Sequence, residues 1–130
     1  KILRQMNRTP KPSNSKILLQ EEIQKYYNYP IIVEGKKDVA SLQALGFQKV
    51  YQINEHGKSL PEVIEDITSQ LTEDEKICVL TDLDKKGKEL FGKIKKILQR
   101  LGVIVDDKLR NQLLKEKISH IEGLYSILND

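Results

Sequence analysis

The chain has 130 residues, 38% hydrophobic and 32% charged, which suits one globular domain with a single core and leaves little room for a second. No stretch approaches the roughly 18 to 20 apolar residues that cross a bilayer and no signal-peptide pattern opens the chain, so no membrane span is expected and a reducing cytoplasm is the expected compartment. The net charge is +3, with six Lys/Arg and two Glu in residues 1 to 30 and a slight acidic excess afterwards, so charge alone does not demand a nucleic-acid partner.

The opening KILRQMNRTPKPSNS, with two prolines and scattered basic residues, reads as a basic tail over residues 1–14. From Ser15 the pattern turns helical: Ile17, Leu18 and Ile23 are expected on one face, and Glu21 and Glu22 toward the start, where the helix dipole favours them. Pro30 bars that helix from continuing. IIVE is a short β-branched strand. DVASLQALG is a helix with Asp38 at its start and Gly46 as its stop. KVYQI is a second strand, and SLPE (Ser59 to Glu62) has the form of a capping box opening a helix through Val63, Ile64, Ile67 and Leu71. KICVL is a third strand. Residues 87–101 form a long helix with Leu90, Phe91, Ile94, Ile97, Leu98 and Leu101 on one stripe. GVIV is a fourth strand, followed by a helix near Leu109 to Lys115. The end, KISHIEGLYSILND, fits either a short edge strand plus helix or one helix. Cys78, the only cysteine, sits in an apolar run and reads as core rather than nucleophile.

Strands alternating with helices, with strands apolar throughout, predict a single α/β domain over residues 15–130. Its mainly parallel four-stranded sheet is covered by helices on both faces. In such sheets chemistry collects beyond the carboxyl ends of the strands, where strand order reverses. Glu34 ends the first strand; Asp82 ends the third and Asp84 follows on the turn. If those strands are neighbours, three carboxylates converge in one crevice, an arrangement whose repulsion calls for a divalent cation. Oxygen ligands, with no Cys or His beside them in sequence, select Mg²⁺ or Mn²⁺ over zinc. Gly35 and Gly87 are expected to let the backbone turn and to leave room for a bulky substrate. A plainer account makes Glu34 and Asp82 surface acids and Asp84 a helix cap; either acid motif alone would suit it, and the pair favours the metal site.

The pattern of three apolar residues followed by Glu-Gly, then apolar-apolar-x-Asp-x-Asp-x-x-Gly, resembles the Toprim domain of topoisomerases, bacterial-type primases, a ribosomal-RNA-maturing nuclease and recombination proteins. The resemblance spans about residues 29–125. More narrowly, IIVEGKKD, LGF, LTDLDKKG and HIEGL look like the small stand-alone Toprim proteins known chiefly from archaea. It implies a Rossmann-like Toprim fold, with Glu34 as general acid/base and Asp82 and Asp84 as metal-binding aspartates. Gly35 and Gly87 match the motif glycines. Topoisomerases commonly continue with Gly-Glu, whereas this chain has Gly87-Lys88, so the extra acid is absent unless Glu89 supplies it.

Lys36, Lys37, Lys85, Lys86 and Lys88 flank the acid motifs and, with Gly35, Asp38 and Gly87, are candidates for a phosphate-binding rim. The basic excess of residues 85–100 reads slightly better as a solvated outer surface than as a nucleic-acid-facing helix. His56 and Asn54 lie in NEHGKS, on the functional edge, where His56 either touches phosphate or is an exposed loop histidine. Glu122, in HIEGL, lies near the metal site or makes a structural ion pair, and the ion pair is the plainer reading. Tyr26, Tyr27 and Tyr29 suit packing against the sheet better than base stacking. Two functions compete. One is an Mg²⁺-dependent endonuclease of structured RNA or DNA, in RNA maturation or DNA repair; the other is a non-catalytic nucleic-acid-binding or complex-assembly module that keeps the metal site. Either leaves room for a protein partner or a homodimer. Topoisomerase and primase activities are not expected, since these 130 residues do not include a strand gate or accessory domains.

Overall fold

The apolar run after Pro30 is short and β-branched, properties that favour a strand over a helix. In the computed structural model, which describes residues 11–129 and their side chains from Lys16, it is the central strand of a parallel sheet. The elements in chain order are α1 (Lys11–Gln24), β1 (Pro30–Val33), α2 (Lys36–Leu45), β2 (Lys49–Gln52), α3 (Leu60–Thr68), β3 (Cys78–Val79), α4 (Lys85–Arg100) and α5 (Lys108–Lys115). A 3-10 turn (Ile121–Gly123) and α6 (Leu124–Asn129) follow. Residues 1–10 of the expected basic tail lie outside the described residues. The first helix begins at Lys11 rather than Ser15, with Pro12 in its first turn, where a missing N–H costs nothing.

The sheet order is β2-β1-β3, with both pairs parallel. Adjacent residues of the strands serve opposite layers, as the two-residue period of a strand requires. Ile31, Val33 and Cys78 pack with Leu19 and Ile23 of α1, Leu42 of α2, Leu109 and Leu113 of α5, and Leu124 and Leu128 of α6. Ile32 and Val79 face the other way, onto Val63, Ile64 and Ile67 of α3 and Ile94, Ile97 and Leu98 of α4. Helices therefore cover both faces. The Ser59–Glu62 capping box opens α3: Ser59 Oγ accepts from Glu62 N–H and Glu62 Oε1 accepts from Ser59 N–H. No described helix is long and apolar enough to cross a membrane.

Two expectations are corrected. The sheet has three strands, not four. GVIV runs alongside β3 but pairs only through a single parallel bridge, Ile77 with Val105. Ile77 N–H donates to Ile104 C=O and Asp106 N–H to Ile77 C=O, after which Asp106 and Asp107 turn the chain into α5. The second correction is the buried face of α1, which carries Leu19 and Ile23, four apart and followed by the buried Tyr26 in the turn beyond the helix, while Ile17 and Leu18 are 51% and 65% exposed. The tyrosines pack as expected: Tyr26 is in the core with Ile31 and Val33 and Tyr27 and Tyr29 lie against it, Tyr26 tilted on Tyr29 at 4.8 Å and Tyr27 edge-on to Phe47 at 4.9 Å between ring centres. Cys78 is fully buried, and that burial pushes its thiol up to about 12, which removes it as a nucleophile at neutral pH. The ambiguous C-terminal stretch resolves into the 3-10 turn and α6, with no strand among its described residues.

Candidate metal centre

Because β1 and β3 are neighbours, the residues that follow them emerge side by side at the carboxyl edge of the sheet. Glu34 follows β1, and its main-chain carbonyl still accepts from Asn54 N–H, which ties it to the end of β2. Its side chain reaches across to the other motif: Glu34 Oε2 accepts from Asp82 N–H at 2.8 Å. A crevice of about 610 Å³ opens there. Glu34, Gly35, Lys36, Lys37, Asp38, Asn54, His56, Asp82 and Asp84 all border it, together with His120 and Glu122 from the C-terminal return of the chain.

Within this crevice Asp82, Asp84 and His120 each offer one ligand atom, and the three atoms lie within 4.8 Å of one another. This donor set fits a divalent cation: two carboxylates suit Mg²⁺ or Mn²⁺, and an imidazole adds a softer nitrogen ligand. It differs from the all-oxygen set expected from the sequence, because His120, far away along the chain, is folded back beside the aspartates. Ile121 N–H donates to Asp82 Oδ1 at 3.0 Å, and Leu83 N–H donates to Ser119 C=O, so the return segment is laced to the aspartate loop. Glu34 stands beside this trio rather than within it. Glu122 borders the crevice and takes part in no ion pair among the described residues, so the structural ion pair favoured from the sequence is not found.

Asp84 is also the N-cap of α4, its Oδ1 accepting from Gly87 N–H at 2.8 Å. Capping and metal binding are compatible, since a carboxylate has further lone pairs. Both main-chain polar groups of Gly87 are engaged internally, because its carbonyl accepts from the buried Thr81 hydroxyl at 2.7 Å. A Cβ on Gly87 would stand 1.8 Å from the Asp82 carbonyl oxygen, so this glycine permits close approach of helix to loop rather than making room for substrate. Gly35 has extended backbone (φ −149°) that any residue adopts, and a Cβ there would meet only Asn54 Nδ2, at 3.5 Å. Its N–H donates to Asp38 Oδ2 at 3.0 Å at the start of α2. Lys36 and Lys37 border the crevice; Lys85, Lys86 and Lys88 occupy the exposed first turn of α4 and do not. His56 is exposed and borders the crevice.

Arg110 escaped the sequence reading altogether. It lies in α5, only 4% exposed, and its guanidinium donates to the carbonyls of Thr81 (2.7 Å), Asp82 (3.2 Å) and, weakly, Val79 (3.4 Å). The same group lies 4.4 Å from the Phe91 ring centroid. Desolvation pulls its pKa down, while Asp107, Glu34 and Asp82 hold it up, so the crevice has a cation beneath its floor. An arginine in a helical, otherwise ordinary stretch carries no local signal of such a place.

Burial pushes the Asp38 carboxyl above the usual carboxylate range; the Gly35 N–H works against this, and the charges of Asp82, Glu34 and Glu122 add to it. The folded state therefore holds this proton more tightly than the unfolded chain. Its contribution to stability is present at low pH and is lost as pH rises from the ordinary carboxylate value through the raised one. In chelator, denaturant melts of wild type should show this decline, and Asp38→Asn, which still offers an oxygen to Gly35 N–H, should flatten it. An undiminished decline in the variant would assign the titration elsewhere.

A family model described as the Toprim domain matches residues 30–122. The UPF0292 protein of Pyrococcus horikoshii is 41% identical over 101 residues, which cover 75% of this chain and 72% of that protein. The UPF0292 protein of Methanocaldococcus jannaschii is 32% identical over 103 residues, covering 77% and 78%. Among solved structures, a protein from Aquifex aeolicus is similar with a TM-score of 0.69 at 31% identity, across 82% of this chain and 95% of that one.

Proposed function

This chain belongs to the Toprim family, and from that premise we propose that it is a metal-dependent nuclease that hydrolyses phosphodiesters in structured RNA or DNA. The observation that carries this reading is the grouping of Asp82, Asp84 and His120 beside Glu34 in a crevice that Lys36 and Lys37 also border. Asp82 and Asp84, with His120, would hold Mg²⁺ or Mn²⁺. When bound, the cation neutralises charge that develops on the scissile phosphate. Glu34 is the group that moves a proton. Its Oε2 is fixed by Asp82 N–H, which orients the carboxylate and leaves Oε1 to take a proton from the attacking water and pass one toward the leaving oxygen. Lys36 and Lys37, exposed at the first turn of α2, attract and position the phosphate backbone. Lys85, Lys86 and Lys88 would meet the backbone outside the crevice.

The test is cleavage of mixed structured RNA and DNA substrates with Mg²⁺ or Mn²⁺. Glu34→Gln should lose about 10²- to 10⁴-fold in rate, the usual worth of a positioned proton carrier, while Mn²⁺ binding by calorimetry changes little. Asp82→Asn and Asp84→Asn should each weaken Mn²⁺ binding as well as cleavage. Binding of nucleic acid by wild type without cleavage in either metal would replace this reading by the non-catalytic module.

A further inference from the structure

Outside the crevice the molecule has a larger groove, about 690 Å³, between the start of α3 and the later half of α4. Its floor is apolar, made by Leu60, Pro61 and Ile97, and its rim carries Lys93, Lys96 and Arg100. All three cations are exposed, and none takes part in an ion pair among the described residues. Their neighbour Lys95, by contrast, is held at 2.6 Å by Asp107 on another side of the helix. No described residue lining the groove is acidic. Glu89, one turn before Lys93, is the single acid on this side of α4 and makes no ion pair with it.

We propose that this groove is a second nucleic-acid contact, a seat for the phosphate backbone at a distance from the metal centre. Positions 93, 96 and 100 fall within about 60° of one another around a helix and span roughly 10 Å along it. That is close to three nucleotide steps of about 3.4 Å on one strand of a duplex. The helix also ties the groove to the chemistry. It starts at Asp84, one of the crevice carboxylates, so Lys93 and Arg100 lie roughly 14 Å and 24 Å further along its axis. Positions 93, 96 and 100 lie roughly 120° to 180° around the helix from 84, so a strand held at both places would cross over α4 while covering about four to seven nucleotides of duplex rise. Three unpaired cations in a line suit a polymer of evenly spaced charge better than an acidic peptide, whose carboxylates have no fixed spacing. The apolar floor lets long basic side chains lie flat with their heads at the rim. This inference rests on the nucleic-acid reading of the crevice.

The experiment measures binding of a fluorescently labelled RNA hairpin and a DNA duplex in chelator, where neither metal binding nor cleavage contributes, across a salt series. Replacing Lys93, Lys96 and Arg100 together by Ala should flatten the log-log salt slope by about 0.9 for each lost contact, hence by about 1.8 to 2.7. Mn²⁺ affinity and the thermal melt should be unchanged, because the three side chains are exposed and remote from the ligands. A Lys96→Glu variant should weaken binding further than Lys96→Ala at low salt. If wild type binds and the triple variant keeps its slope, while Lys36→Ala with Lys37→Ala flattens it, the groove proposal fails and the crevice reading stands. If wild type binds neither nucleic acid at low salt, both fail. Preferential capture of polyglutamate over RNA, lost in the triple variant, would overturn the groove proposal in favour of an acidic protein partner.

Discussion

Gly87→Ala is expected to cost about 4 kcal/mol or more, which places it in the small class of severely destabilising substitutions. The added methyl would lie 1.8 Å from the carbonyl oxygen of Asp82, 2.4 Å from its carbon and 2.9 Å from its Cα. These are backbone atoms, so no rotamer change relieves the clash; either α4 shifts away from the sheet or the 82–84 loop moves. Both movements break contacts that the site depends on, because Asp84 caps α4 through Gly87 N–H and Thr81 is tied to Gly87 C=O. Against a typical total of 5 to 15 kcal/mol, the loss leaves a marginal protein. A urea melt would read it directly, and Mn²⁺ affinity should collapse in whatever fraction remains folded. Gly92→Ala is the control: it lies in the same helix with nothing within 4 Å of the new methyl, and should stabilise by about 0.5 to 1 kcal/mol. Equal stability of the Gly87→Ala protein and wild type would show that helix and loop are not in contact as described.

The alternation of IIV, KVYQI and KICVL with capped helices was readable because each element satisfies its own local rule, and neighbouring parallel strands then bring Glu34 to Asp82 without further information. The role of Gly87 was misread, since a glycine three residues beyond the second aspartate looks the same whether it spares a substrate or a carbonyl. GVIV has the composition of a strand, but strand length is decided by where the chain must next turn, and Asp106 and Asp107 turn it after one bridge. The face of α1 was misread because Ile17 and Leu18 offered as much apolar surface as Leu19; only the position of the sheet chooses among them. His120 joins the aspartates through main-chain hydrogen bonds from Ile121 and Leu83, which no side-chain pattern records. Contacts made by backbone across long separations are the part of this site that a sequence does not spell.

Arg110 supplies the second large effect, and its variants separate what the guanidinium does as a shape from what it does as a charge. Arg110→Met removes the donors to the Thr81 and Asp82 carbonyls and the weaker one to Val79, leaving the buried Thr81 and Val79 carbonyls and the part-buried Asp82 carbonyl without this partner. An unsatisfied buried acceptor costs about 1 to 3 kcal/mol, so a loss of about 3 to 5 kcal/mol is expected in chelator, offset only partly by the good packing of Met against Phe91. Arg110→Lys keeps the charge but has one ammonium where a planar fork served several carbonyls, and should recover roughly half of that loss. The charge itself is isolated by a double-mutant cycle with Asp82→Asn. Asparagine leaves the Asp82 main-chain carbonyl, and so the hydrogen bond to Arg110, in place, while removing one of the negative charges that, after Asp107 and Glu34, hold the guanidinium's pKa up. Arg110→Met should therefore cost less in the Asp82→Asn background than in wild type, by about 0.5 kcal/mol or more, the scale of coupling between neighbours. Strict additivity would mean that Arg110 serves the loop only as a set of donors, and an Arg110→Met cost under about 1 kcal/mol would mean that water takes its place. A cation built in beneath the carboxylates offsets their mutual repulsion in the absence of metal, so the same residue braces the 79–82 segment and answers the negative charge gathered above it.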